Sequence, residues 1–448
     1  MHPAIMKPLT LILTLLPALP LTVTAHDCCE NTAPPPLCER GISSHRSSVH
    51  ADCPSVSNSL GTRGSRPDCC ALDHVPSPVA TAPAGVKLSG YADLAYLYNL
   101  GTPSAAQGYA TDRRPRGNFN VNQLQLALAK PLTDANQWQA GFAAAVLLGE
   151  DFAAMSGRDR GASSLYLQHA HLDLRVPLGR GLDVQLGKLC SVMGYESDER
   201  PANLNITKGA STLFDPCSAT GAFLSYPVTD WLTAQAGVHN GSGADGNPGF
   251  DTSGDAYAFL ASLRLHNRAH TLATQLTVQY APWGEACPHH ANHASAMCAP
   301  DNTNVIGLNW WLNWLPARAD SKLLLALNTS LWSWDNTMVM PMPMPATTAT
   351  YSALAAYAKY QCTPCLSLAA RAEYVHTHNG EYNAARGTSY FWNNGRRDDD
   401  LYTLTLTAAL NLAEDLLLRT EYRLDTGARV ATTQDLAHLL ALEAVYSF

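Results

Sequence analysis

The chain has 448 residues, 46% of them hydrophobic and 15% charged, with a formal net charge of −8. That length and apolar share exclude a disordered or fibrous chain, and the acidic balance argues against a nucleic-acid surface. No P-loop, dinucleotide fingerprint or Gly-x-Ser-x-Gly motif occurs, so nothing indicates nucleotide-dependent or serine-hydrolase chemistry.

Residues 1–25 read as a signal peptide: Lys7 precedes an apolar run over 9–21, and Val23-Thr24-Ala25 offers a small-residue cleavage site. Pro17 and Pro20 shorten the run below the roughly 20 residues that a spanning helix needs. Residues 26–85 are rich in Ser, Pro, Gly and Cys without an apolar period, and read as an irregular periplasmic leader. The leader holds Cys28, Cys29, Cys38, Cys53, Cys69 and Cys70. In an oxidising compartment disulfides are the expected state of such cysteines, and sequence does not decide their pairing.

From residue 86 to 448 the character changes to runs of alternating apolar and polar residues. They fall at 86–100, 119–132, 137–148, 165–178, 182–189, 219–228, 232–240, 256–266, 270–280, 304–315, 322–334, 350–361, 366–376, 401–412, 416–425 and 438–448. Sixteen runs is an even count, and most match the roughly 9 to 11 residues of a tilted strand crossing hydrocarbon. The intervals between runs are alternately short and long, as periplasmic turns and outer loops are. The predicted fold class is all-β: a transmembrane antiparallel up-and-down barrel of about 16 strands, with the leader attached.

Charges test the strand faces, because an Arg or Lys turned to mid-bilayer lipid costs roughly 2 to 4 kcal/mol. In the fourth run His169, His171, Asp173 and Arg175 alternate with Ala170, Leu172, Leu174 and Val176. In the fifteenth Arg419, Glu421, Arg423 and Asp425 alternate with Leu418, Thr420, Tyr422 and Leu424. The polar face is read as a wet lumen lined by Asp93, His169, His171, Asp173, Arg175, Asp183, Arg264, Arg371, Glu373, Arg419, Glu421, Arg423 and Glu443. Tyr96, Tyr98, Tyr226, Tyr280, Trp310, Trp314, Tyr374, Tyr422 and Tyr446 fall on the apolar face toward strand ends, where an interfacial girdle belongs. Trp332 and Trp334 fall on the other face, unexplained by the pattern.

Several stretches resemble the OmpL-like outer-membrane β-barrel porins: Leu88-Ser89-Gly90-Tyr91-Ala92-Asp93, Asn118-Phe119-Asn120-Val121-Asn122-Gln123, Gly181-Leu182-Asp183-Val184-Gln185-Leu186-Gly187-Lys188 and Gly194-Tyr195-Glu196. Pro227-Val228-Thr229-Asp230 and Gly237-Val238-His239-Asn240-Gly241 continue the likeness, which spans residues 86–448. The resemblance implies a porin-like barrel with no catalytic residues to carry over, and Cys190 departs from it after the Gly-Lys pair.

Between Cys190 and Cys217, Glu196, Asp198, Glu199 and Arg200 are candidates for a segment that folds into the mouth or lumen and sets a transverse field; the alternative is a solvated loop stapled by a disulfide. Cys287 and Cys298 bracket His289, His290 and His293, weak metal candidates in what reads as a disulfide-closed outer loop. Cys362-Thr363-Pro364-Cys365 lies in a tight turn and reads as a disulfide staple rather than a redox pair. The expected function is passive diffusion of small hydrophilic solutes or ions across the bacterial outer membrane, without catalysis, cofactor or resident metal. Outer-membrane lipid, the solutes and a homotrimer are the expected partners; nucleic acid is not. The second reading is a non-conducting barrel that anchors a partner or binds metal through its Cys/His-rich segments.

Overall fold

Period-two alternation lets one strand meet lipid on one face and water or packed polar groups on the other, provided that every backbone group finds a partner in a neighbouring strand. The computed structural model of this chain describes residues 85–100, 117–151, 165–190, 192–212, 215–216, 218–240, 257–284, 303–316, 321–337, 347–378, 398–431 and 434–448. The strands are β1 (Lys87–Asn99), β2 (Asn118–Lys130), β3 (Gln139–Leu148), β4 (Leu165–Val176), β5 (Leu182–Cys190), β6 (Ser218–Pro227), β7 (Leu232–Asn240) and β8 (Tyr257–His266). They continue with β9 (Leu272–Gly284), β10 (Thr303–Trp314), β11 (Leu323–Thr337), β12 (Thr347–Gln361), β13 (Leu366–His378), β14 (Asp398–Ala413), β15 (Leu416–Ala431) and β16 (Gln434–Ser447). Each pairs antiparallel with its chain neighbours, and β1 pairs with β16, so the sheet closes on itself. Closure removes both edges, which is what permits strands to sit in lipid.

The closing seam explains one motif residue. Gly90 exchanges two backbone hydrogen bonds with Phe448, at 3.0 and 2.9 Å. A Cβ on Gly90 would lie 2.3 Å from the Gln125 carbonyl oxygen and 2.7 Å from the Phe448 ring, so only glycine lets the terminal phenylalanine lie over this strand.

Alternating exposure fixes which face is which. Leu94 is 50% exposed and its neighbour Asp93 0%; Leu442 is 57% exposed and its neighbour Glu443 4%. The nine aromatic residues predicted for the girdle all lie on the outward face, Tyr98, Tyr280, Trp314, Tyr374 and Tyr446 among the exposed ones. Trp332 faces inward and is buried against segment 192–212 and its flank, which removes the anomaly in the pattern; the side chain of Trp334 lies outside the described residues.

The register shifts at several points among the described strands, and two of the shifts bring extra polar residues inward. The β1–β2 register skips Asn122, and the β3–β4 register skips Gln168. Each bulge turns two successive polar side chains inward, Asn122 with Gln123 and Gln168 with His169, and all four are buried. The predicted long connection over 426–437 is also corrected: β15 runs to Ala431 and β16 starts at Gln434, because backbone pairing continues beyond the apolar stretch to Ala431 opposite Gln434.

Candidate functional site

The thirteen residues predicted to line the pore all lie on the inward face: Asp93 on β1, His169, His171, Asp173 and Arg175 on β4, Asp183 on β5, Arg264 on β8, Arg371 and Glu373 on β13, Arg419, Glu421 and Arg423 on β15, and Glu443 on β16. Most do not face open water. Arg371 and Arg423 are 0% exposed and Glu421 2%, whereas Arg264 is exposed. The cover is the segment between β5 and β6, which lies inside the ring and includes two 3-10 turns, Arg200–Ala202 and Ala210–Thr212.

An irregular backbone inside a barrel leaves N–H and C=O groups that no ladder satisfies, and each needs a partner. Here the wall's ionised side chains supply them. Glu421 accepts from the Ile206 and Thr207 N–H groups at 2.5 and 3.1 Å and from the Thr207 hydroxyl at 2.6 Å. Glu373 accepts from the Ser211 N–H at 3.0 Å. On the donor side, Arg419 bonds the carbonyls of Asn203 and Arg200 at 2.7 and 3.0 Å, Arg423 that of Lys208 at 2.7 Å, and Arg371 that of Thr207 at 2.8 Å. Gly209 makes the approach possible: its N–H donates to Glu196 at 2.6 Å, and a Cβ there would meet a Glu373 oxygen at 2.5 Å.

Side chains of the segment reach the wall in turn. Arg200 forms a fork on Asp151, Nε to Oδ2 at 2.5 Å and Nη2 to Oδ1 at 2.8 Å, and its remaining arm reaches the Ile206 carbonyl at 3.2 Å. Glu196 accepts from Arg371 at 2.6 Å and from the Tyr357 hydroxyl at 3.2 Å; Glu199 accepts from Gln125 at 2.7 Å and Gln168 at 3.3 Å. Asp198 pairs with Lys208 at 2.5 Å. Bidentate and charge-assisted contacts of this kind are the strongest in the inventory of hydrogen bonds.

All four segment candidates are therefore inside the barrel, and the solvated outer loop is not the arrangement present. Glu196 and Arg200 pair with the wall residues Arg371 and Asp151, and Asp198 with Lys208 of the segment itself, so these charges fasten the segment in place. Of the four, Glu196 and Glu199 are half-buried and Asp198 and Arg200 buried, and Glu199 has two glutamine contacts.

Sequence reasoning missed the wall's other half of these contacts. Asp151 follows β3 in Gly149-Glu150-Asp151, where no periodic signal reaches, and Gln123, Gln168, Asn309, Ser330 and Tyr351 are ordinary inward polar positions until a segment packs on them. The far end of the segment is held by Asp215, which accepts from Ser330 at 2.5 Å, Trp332 Nε1 at 3.3 Å and Asn309 at 3.4 Å. Burial pushes the Asp215 carboxyl up to about 6, with Glu196 adding to the rise and Ser330, Trp332 and Lys208 opposing it. A raised carboxyl binds its proton more tightly in the packed segment than in a released one, so packing is firmest in acid and weakens as pH climbs from about 4 through 6. Segment protection from protease is expected to fall across that interval in the native protein and to lose that pH step in Asp215→Asn.

The cysteines divide. Cys190, at the end of β5, is disulfide-bonded, with its sulfur 3.4 Å from His169 Nδ1; Cys217 lies outside the described residues. Cys362 and Cys365 are both thiols, which corrects the staple expected there. Main-chain bonds from Cys362 and Thr363 to the Leu366 carbonyl, at 2.9 and 3.2 Å, and one from the Leu366 N–H to the Thr363 hydroxyl at 3.0 Å, close the turn without a bridge. Cys287, Cys298, His289, His290 and His293 lie outside the described residues, as do the leader and the signal segment; no group of three or more metal-ligating side chains occurs among the described ones.

Comparison with known proteins adds context to this geometry. The family described as "Putative beta-barrel porin-2, OmpL-like" matches residues 85–448. Among solved structures, the outer membrane channel DcaP of Acinetobacter baumannii is 12% identical, with 82% of this chain and 99% of that one covered and a TM-score of 0.53. OmpT of Vibrio cholerae in its trimer form is 11% identical over 81% and 99%, also at 0.53, and Pseudomonas putida OprB is 13% identical over 82% and 94%, at 0.51. At these identities the likeness is one of fold. Comparison with curated proteins gives no match.

Proposed function

This chain belongs to the OmpL-like family of beta-barrel porins and is a protein of the bacterial outer membrane, and from that premise we propose that it is a diffusion channel for small hydrophilic solutes, acting without covalent chemistry. The observation that carries the reading is the uneven cover of the inner wall. Residues 192–212 and Asp215 hydrogen-bond to β2, the outer part of β4 and β9–β15, and Ile206 clusters with apolar residues of β1 and β16, while the periplasmic half of β4 to β8 keeps Asp173, Gln185, Thr233 and Gln235 half-buried and Arg264 exposed. A sixteen-strand ring is wide enough for an aqueous channel, and a segment against one side narrows it rather than filling it.

Residues 1–25 would direct export and be removed, leaving 26–85 as a periplasmic extension, since β1 starts at the barrel end that carries the short turns. By analogy with the trimer form of OmpT, three copies would associate through their outward faces. Reconstitution of the mature chain in planar bilayers tests the channel directly: steady ohmic steps are expected. A barrel that inserts fully and stays sealed would overturn diffusion and leave the anchoring reading, which the many wall contacts of the segment would then explain.

A further inference from the structure

His266 ends β8 and His270 lies in the turn that follows, at the barrel end that carries the short connections. His266 continues the inward parity of Ser262 and Arg264, and both histidines are half-buried, so water and small ions reach them. Their rings are near neighbours, with centroids 4.9 Å apart and planes 18° from parallel. Hydrogen bonds fix the turn between them. The Asn267 N–H donates to the Leu272 carbonyl and the His270 N–H to the Asn267 carbonyl, each at 3.0 Å. The Asn267 amide oxygen accepts from the Thr271 and Leu272 N–H groups at 2.8 and 3.2 Å, and its N–H₂ donates to the Thr271 hydroxyl at 2.8 Å.

The backbone does not require a histidine in this turn. His270 has a φ of 52°, the one positive value on a non-glycine residue among the described residues, and glycine would adopt it freely. The two rings suit a metal ion instead. His266 Nδ1 lies 3.3 Å from the Asn267 carbonyl oxygen, an acceptor that makes Nδ1 the protonated nitrogen and leaves the Nε2 lone pair for a metal. Two imidazoles bound to one ion at about 2.0–2.1 Å, at angles from square to tetrahedral, have ring centres roughly 4.5–5.2 Å apart. The separation here falls inside that interval. The His270 ring has no hydrogen bond among the described residues, and its broad χ2 torsion turns it about an axis through its own centre. Its edge can therefore swing toward the ion at unchanged separation.

We infer that His266 and His270 form a site for one divalent transition-metal ion of the zinc and copper class, at the short-turn mouth of the barrel. Imidazole suits that class and not magnesium or calcium, which take oxygen ligands. Two protein ligands leave the remaining positions to water or to the oxygens of a small ligand, so the site is open rather than closed. It does not depend on conduction: a sealed barrel would hold the same ion.

Zn²⁺ serves as the probe and Mg²⁺ as the control for charge, at about pH 7.5, where free imidazole is mostly neutral. In the native chain in detergent, Zn²⁺ should slow diethyl pyrocarbonate modification of His266 and His270 together, several-fold, and Mg²⁺ should not. Peptide mapping separates this pair from the other histidines among the chain's 16. His270→Gly, which suits the positive φ of the turn, should cost the chain one bound Zn²⁺ and remove the protection of His266. His266→Gln should lose the same ion. Rings modified equally fast with and without Zn²⁺, or a His266 that stays protected in His270→Gly, would overturn the site. Bilayer recordings answer the channel question separately, so a barrel that proves sealed leaves this result untouched.

Discussion

Arg200→Ala should raise single-channel conductance severalfold and expose residues 192–212 to protease while leaving the barrel folded. Arg200 is wholly buried, and its fork on Asp151 is the segment's strongest anchor to the β3 side of the ring. Removing one partner of a buried ion pair strands the other, at a cost of about 3 to 5 kcal/mol. The sheet's own hydrogen bonds do not involve Arg200, so the least expensive relief is for the segment to leave the wall and let water reach Asp151. Arg200→Lys keeps the charge and loses the fork, and is expected to fall between native and alanine forms. Conductance unchanged, with the segment still protected, would mean that Glu421, Glu373 and the wall arginines hold it unaided.

Leu442→Arg is expected to have the largest effect on folding. Leu442 points outward near the middle of β16, flanked by the inward Ala441 and Glu443. An arginine in that position meets acyl chains at mid-bilayer and should destabilise the inserted barrel by about 2 to 4 kcal/mol. Leu412→Arg provides the depth control. Leu412 is similarly exposed but stands at the end of β14 beside the Glu414-Asp415 turn, where the same change costs about 0 to 1 kcal/mol. Reversible urea unfolding from lipid vesicles measures both; equal midpoints for the two variants would mean that the outward face does not contact hydrocarbon as assigned.

Which residues turn inward was legible wherever alternation is unbroken. The His169 to Arg175 and Arg419 to Asp425 rows need no tertiary information, because a side chain's face on a strand follows from its parity alone. Parity fails at Asn122 and Gln168, where one extra residue leaves no trace in composition. It also fails to bound β15 and β16, whose backbone pairing continues past the apolar stretch into a region with no lipid to select the pattern. The candidate segment was legible as a charged interval between Cys190 and Cys217, but its destination was not. Charged residues look the same in sequence whether water or a row of opposite charges satisfies them.

The sequence by itself determined a closed, even-stranded antiparallel ring, because the period of two is a local property of each strand and the count of sixteen and the alternating turn lengths are read directly along the chain. Only the tertiary structure decided that Asp151 meets Arg200, that Glu421 caps the Ile206 and Thr207 amides across more than two hundred residues of chain, and that Arg264 is left facing the lumen. Those facts depend on which wall the inward segment leans against. That choice is made by the sum of many long-range pairings, each available only after the ring has closed.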